Sequence, residues 1–123
     1  MLRVMVQKLG DVTVFRCVGR LVIGDENTIL RNAVLSDRGA STVILDLAQV
    51  GDIDAGGLGM LMNLRELTRP IGIEFKLINV TKRVQQILEL ANLDQVLDTC
   101  TVEEMFYQSR VHRGKSLGRD RAA

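Results

Sequence analysis

The sequence predicts an α/β domain: a mixed, mostly parallel sheet of four to five strands, with an N-terminal β-hairpin and about four helices. Three observations predict it. Two strand-like segments stand together at the N-terminus, separated by a Gly-Asp pair. Downstream, compact apolar runs alternate with segments whose apolar residues recur at helical spacing. Gly, Pro, Asp or Thr punctuates nearly every join. That alternation implies parallel strands joined by right-handed crossovers, and the hairpin adds one antiparallel edge.

Leu2, Val4 and Val6 alternate with Arg3, Met5 and Gln7, the period of a strand. Gly10-Asp11 supplies the turn, and Val12, Val14, Phe15, Cys17 and Val18 the second strand. Gly19 and Gly24 bracket Leu21-Val22-Ile23, and Asp25 is placed to cap a helix through Ile29, Leu30, Ala33 and Val34 that stops at Gly39. Val43–Leu47 reads as a buried strand. A loop over residues 50–57 follows, then a helix from about Leu58 to Thr68, stopped by Pro70. Ile73 to Val80 gives a strand, and Thr81 caps a helix through Val84, Ile87, Leu88 and Ala91 that ends near Asn92. Val96-Leu97 is a candidate last strand, and Thr101 with Glu104 spells a capping box for a final helix.

With 123 residues, 46% hydrophobic and 25% charged, the chain suits one domain with a sizeable core. No apolar run approaches the ~18–20 residues of a membrane span. The N-terminus lacks the features of a secretory signal, and Cys17 and Cys100 cannot form a disulfide framework. A cytoplasmic protein with two buried, reduced cysteines is the expectation. Its one histidine, His112, lies in a polar C-terminal stretch, so His-based metal sites and nucleophilic triads are disfavoured. No catalytic residues, cofactor or metal are expected, and an enzyme is not. Residues 110–123 carry five basic and one acidic side chain, a formal +4, on a body of −3. With one tyrosine and no tryptophan, the basic end reads as a solvated, mobile tail rather than a nucleic-acid surface.

The informative stretch is residues 43–61: a strand, then Asp52-Ile53-Asp54-Ala55-Gly56-Gly57-Leu58-Gly59, then a helix. A glycine-rich joint at a strand's C-terminal end turns the first helical amides outward, where Asp54 can accept from the second or third of them. Neither a phosphate-binding P-loop nor a dinucleotide-binding fingerprint fits, because the Gly-Lys-Ser/Thr ending and the Gly-x-Gly-x-x-Gly spacing are both missing. On spacing alone, a plain strand–turn–helix joint with an Asp cap explains the segment.

The run Val43-Ile44-Leu45-Asp46-Leu47 followed by Ile53-Asp54-Ala55-Gly56-Gly57-Leu58-Gly59 resembles the signature of STAS domains, especially bacterial anti-sigma factor antagonists. Val18-Gly19-Arg20-Leu21, Leu77-Ile78-Asn79-Val80 and the Leu88…Leu93…Leu97 spacing add to the resemblance. It implies a STAS-like domain over residues 1–108, leaving 109–123 as the tail. It also implies regulated binding to an anti-sigma factor, which in this family is often a serine kinase of the histidine-kinase-like ATPase type. The kinase switches its antagonist off by phosphorylating the serine that follows the loop aspartate.

That serine is replaced here by Ala55, and the next residue is Gly56. Neither carries a hydroxyl, so no phosphorylation is expected at the family position. The nearest hydroxyls in sequence are Ser41, Thr42 and Thr68. The resemblance therefore leaves three uses open. They are an antagonist that is constitutive or set by partner competition, an adaptor subunit of a lipid-transport ATPase or other scaffold, and a paralogue without a retained switch.

The partner-binding surface implied by the resemblance comprises Asp25, Asp52, Asp54, Ala55, Gly56, Gly57, Leu58 and Met60. Leu58, Met60, Leu61, Met62, Leu64 and Leu67 span an arc of about 220° at 100° per residue. A helix packed on one side of a sheet needs a stripe of little more than about 100°. The excess is either covered by another element or exposed as a docking patch. Asp46 between Leu45 and Leu47 is expected to satisfy nearby loop amides, and Cys17 to lie in the core.

Overall fold

In the computed structural model, which describes residues 2–22, 26–37, 39–105 and 107, the first two strands form the predicted hairpin. They are β1 (Arg3–Leu9) and β2 (Val12–Leu21), and α1 (Glu26–Ser36), β3 (Thr42–Ile53), α2 (Ala55–Thr68), β4 (Glu74–Ile78), α3 (Lys82–Leu90) and β5 (Asp98–Cys100) follow. A 3-10 turn over Arg69–Ile71 takes up Pro70 directly after α2, and residues 102–105 are helical. Asp25, residue 108 and the tail 109–123 lie outside the described residues.

Leu9 pairs with Val12 across a two-residue connection, and Gly10 supplies its left-handed φ of 66°. β1 runs antiparallel to β2, while β2–β3, β3–β4 and β4–β5 are parallel. The spatial order β1-β2-β3-β4-β5 follows chain order throughout. Right-handed crossovers that always step the same way put their helices on one face. Accordingly Leu30 and Val34 of α1, Leu61 and Leu64 of α2, and Val84 and Leu88 of α3 share one core with Phe15, Cys17, Leu45, Leu47 and Leu77. The opposite face holds a smaller cluster, Val12, Val14, Ile44 and Ile78, with Met105 packed on it. No described helix is long and apolar enough to cross a membrane.

The helix ends obey local chemistry. Thr81 Oγ accepts from the Val84 amide at 3.2 Å. Thr101 and Glu104 form a reciprocal capping box, with bonds of 3.1 and 3.3 Å.

Several boundaries differ from expectation, each for a reason of pairing. β2 continues past Val18 to Leu21, and β3 continues past Leu47 to Ile53, because the two strands pair side by side as far as Leu21↔Ile53. Register shifts between Arg16 and Val18 and between Gly19 and Arg20 accompany the continued pairing of residues 48–52, whose Val50 is buried in the core. At the first, the Ala48 amide donates to Asp46 Oδ1 at 3.0 Å, so the buried carboxylate serves the amide beside the bulge. The predicted loop over 50–57 thus contracts to Asp54, and α2 starts at Ala55 rather than near Leu58. Val96-Leu97 precedes the last strand instead of forming it, and Leu97 fills the core.

Cys17 is fully buried, but Cys100 is only half-buried, which corrects the expectation for that thiol. Burial, followed by the nearby Asp46 carboxylate, pushes Cys17 up to about 12. Burial also raises Cys100. Both are therefore largely un-ionised near neutral pH, and access separates them. Iodoacetamide followed by peptide mass mapping is expected to label Cys100 slowly in the native protein and Cys17 only after denaturation. Equal native labelling of both would contradict this packing.

Candidate functional site

The joint between β3 and α2 is a single residue. Asp54 has extended backbone angles (φ −112°, ψ −174°), and its Oδ1 accepts the Gly57 amide at 2.9 Å. Its carbonyl accepts the Leu58 amide, also at 2.9 Å, as the first helical bond. Its own amide donates to the Leu21 carbonyl at 3.1 Å, tying the end of β3 to the end of β2. A side-chain cap of this kind is worth about 1 kcal/mol.

Gly57 is buried at the point where α2 crosses the end of β2. A Cβ there would overlap the Leu21 carbonyl oxygen and come within 2.8 Å of Ile53 Cγ1. Gly59, two residues on and hence on the other side of the helix, is exposed and faces open space. The two glycines therefore do different jobs: Gly57 admits another segment of its own chain, and Gly59 borders solvent.

Ala55 is exposed as the first residue of α2, with Gly56 and Leu58 half-buried beside it. No acidic side chain lies in the first turn of α2. Asp52 flanks this rim with its side chain 38% exposed, between Arg20 of β2 and Arg83 of α3, each at 3.7 Å. Such exposed pairs contribute at most about 1 kcal/mol each and mainly hold orientation. Deeper in, Asp46 Oδ1 also accepts from Asn79 Nδ2 at 3.2 Å, and Oδ2 lies 3.8 Å from Arg16 Nε. Asn79 reaches it from a left-handed backbone, φ 55°.

The sequence-derived residues thus divide. Asp52, Asp54, Ala55, Gly56 and Leu58 meet at one rim, formed by the C-terminal ends of β2 and β3. Gly57 and Met60 (7% exposed) face inward, which removes both as contacts in this conformation. Asp25 lies outside the described residues, although β2 does deliver its C-terminal end to this rim. The wide apolar arc of α2 is mostly covered: Met60, Leu61 and Leu64 are buried, and Leu58, Met62 and Leu67 half-buried. Leu58, at its N-terminal end, is the part that reaches the rim. Sequence reasoning missed Arg20 and Arg83 as neighbours of Asp52. Only the strand register and the placement of α3 bring them together.

The hydroxyls nearest Ala55 in sequence are elsewhere. Thr42 is fully buried, and Thr68 is buried with its Oγ donating to the Leu64 carbonyl at 2.8 Å. Ser41 lies just before β3, at the far end of that strand from Ala55, and donates to Asp11 Oδ2 at 2.8 Å. Among the described residues, no three His, Cys, Asp or Glu side chains converge to hold a metal ion.

Comparison with known proteins gives a consistent result. Residues 3–108 match the STAS domain family. A Thermotoga neapolitana protein, named as a candidate anti-sigma factor antagonist and TM1081 homolog, is 30% identical over 61 residues. That stretch is 50% of this chain and 54% of the relative, so the match spans about half of the curated relative's length. The crystal structure of TM1081 from Thermotoga maritima superposes with a TM-score of 0.76 at 23% identity, covering 87% of this chain and 94% of the other. The anti-sigma factor antagonist SpoIIAA in its unphosphorylated form gives 0.70 at 17% identity, covering 88% and 96%. At these identities the structures establish a common fold.

The buried glycine yields a paired test. Gly57→Ala is expected to cost about 1–3 kcal/mol through overpacking against backbone, lowering the melting temperature by on the order of 5–15 °C. Gly59→Ala is expected to raise it by a few degrees, since alanine is favoured over glycine in an open helix position by about 1 kcal/mol. Thermal melts of both variants decide; equal effects would contradict the close approach of α2 to β2.

Proposed function

The chain belongs to the STAS domain family, and from that premise we propose that it is a non-enzymatic anti-sigma factor antagonist that binds without the family's phosphorylation switch. Its binding surface is the rim of Asp52, Asp54, Ala55, Gly56 and Leu58. Its partner is an anti-sigma factor, a serine kinase of the histidine-kinase-like ATPase type.

The observation that carries this reading is the placement of Ala55. It is the exposed first residue of α2, at the position where the resemblance puts a phosphorylatable serine. A phosphate would add a charge of about −1.5 to −2 there. The helix N-terminus itself favours negative charge, so the fold would tolerate the modification. Its cost would fall on a partner docked against the rim. Alanine offers a small apolar contact and no acceptor for the phosphate, so binding is governed by abundance or by competition among partners. The Thermotoga relative's name supports the antagonist assignment.

The test uses a cognate anti-sigma kinase and ATP, read by intact mass and peptide mapping. The wild type is expected to take no phosphate while remaining bound, and Ala55→Ser to gain one on the peptide carrying position 55. Phosphorylation of the wild type at any residue with release of the kinase would contradict the reading. So would an inert Ala55→Ser variant.

A further inference from the structure

β1 is an edge strand, paired only with β2, and it presents seven residues; the other edge, β5, has three. Long edges are usually guarded by a charge or proline near their middle. The two cations of β1, Arg3 and Lys8, stand near its ends, and Lys8 is already paired with Asp37 at 3.1 Å. The middle, Val4-Met5-Val6-Gln7, is uncharged. Met5 and Val6 point to opposite faces and are 49% and 52% exposed, and Ile29 of α1 is 55% exposed. Ile29 and Met5 share an open groove with Leu2, Val4 and Val18. Three of the eight exposed large apolar side chains among the described residues thus flank this edge.

We propose that β1 pairs antiparallel with β1 of a second copy of this chain, about a two-fold axis at Val6. Counted from the two-residue connection, the alternation of an antiparallel ladder turns the backbone N–H and C=O groups of Val4, Val6 and Lys8 outward. An added strand must meet them in phase. Centred on Val6, all seven residues of each strand overlap: Val6 faces Val6, Val4 faces Lys8, Met5 faces Gln7 and Arg3 faces Leu9. No cation faces a cation, and both copies of Met5 and Val6 lose solvent. Centring on Lys8 sets lysine against lysine, and an in-register parallel pair stacks both cations on their own copies. Charge therefore excludes those two arrangements, and overlap selects the register, since centring on Val4, Met5 or Gln7 also keeps the cations apart but pairs fewer than the seven residues. Ala55 follows β3, two strands in from this edge, so the pairing is independent of the rim's partner.

Sedimentation equilibrium across micromolar to millimolar concentration is expected to show a monomer–dimer equilibrium. Val6→Lys should weaken it on the order of tenfold or more by placing lysine against its own copy. Val6 is half exposed, so the variant's melt should match the wild type and separate misfolding from lost pairing. Disulfide mapping in a Cys100→Ser background reads the register. Met5→Cys mixed with Gln7→Cys should cross-link, because those positions face each other about 4.5 Å apart between Cα atoms. Neither variant alone should, since each then meets its copy only diagonally, at about 7–8 Å. A monomer at all concentrations, a dimer unaffected by Val6→Lys, or a cross-link formed by either variant alone would overturn the proposal.

Discussion

The close approach of α2 to the end of β2 is the constraint on which the proposed binding rim depends. The Leu21 carbonyl accepts the Asp54 amide at 3.1 Å and leaves no room for a Cβ at position 57. These two facts fix where β3 ends and where α2 begins. Because Asp54 must be extended and its carboxylate must reach the Gly57 amide, Ala55 is carried out of the sheet as the first helical residue. A residue at that point is exposed while its backbone is firmly anchored, which is what a contact surface needs.

The remaining architecture supports that joint. Strand order follows chain order, so all three helices between parallel strands occupy one face and bury the apolar arc of α2. Asp46 holds the bulged amide of β3 and the loop after β4 through Ala48 and Asn79. Asp52 stands between arginines of β2 and α3. Two aspartates of one strand thus link β3 to its neighbours below and at the rim. Their carboxylates also serve backbone amides of the same strand, Ala48 for Asp46 and Ile53 for Asp52.

What the sequence disclosed was chemistry acting over a few residues. Gly10 at the hairpin, Asp54 and Thr81 at helix starts, and Thr101 with Glu104 each satisfy partners within three positions, and composition alone points to them. The course of β3 through Gln49 to Asp52 was hidden, because a polar, glycine-containing stretch becomes strand only when β2 runs alongside it. The same holds for Gly57, whose burial depends on where β2 ends, and for Arg20 and Arg83, which meet Asp52 from elements far apart in sequence. The resemblance places Met60 at the surface, while the arc itself leaves cover or exposure open; in the fold Met60 lies in the core with α1 and sheet residues.

The central claim is that an uncharged residue at position 55 keeps this rim competent to bind. Affinity capture from an extract of the source cells, with wild type and Ala55→Asp side by side and mass-spectrometric identification, tests it most directly. The account predicts that an anti-sigma factor is retained by the wild type and lost by the variant, at unchanged thermal stability. Equal retention of that factor by both proteins, or retention of a transport ATPase in its place, would contradict it.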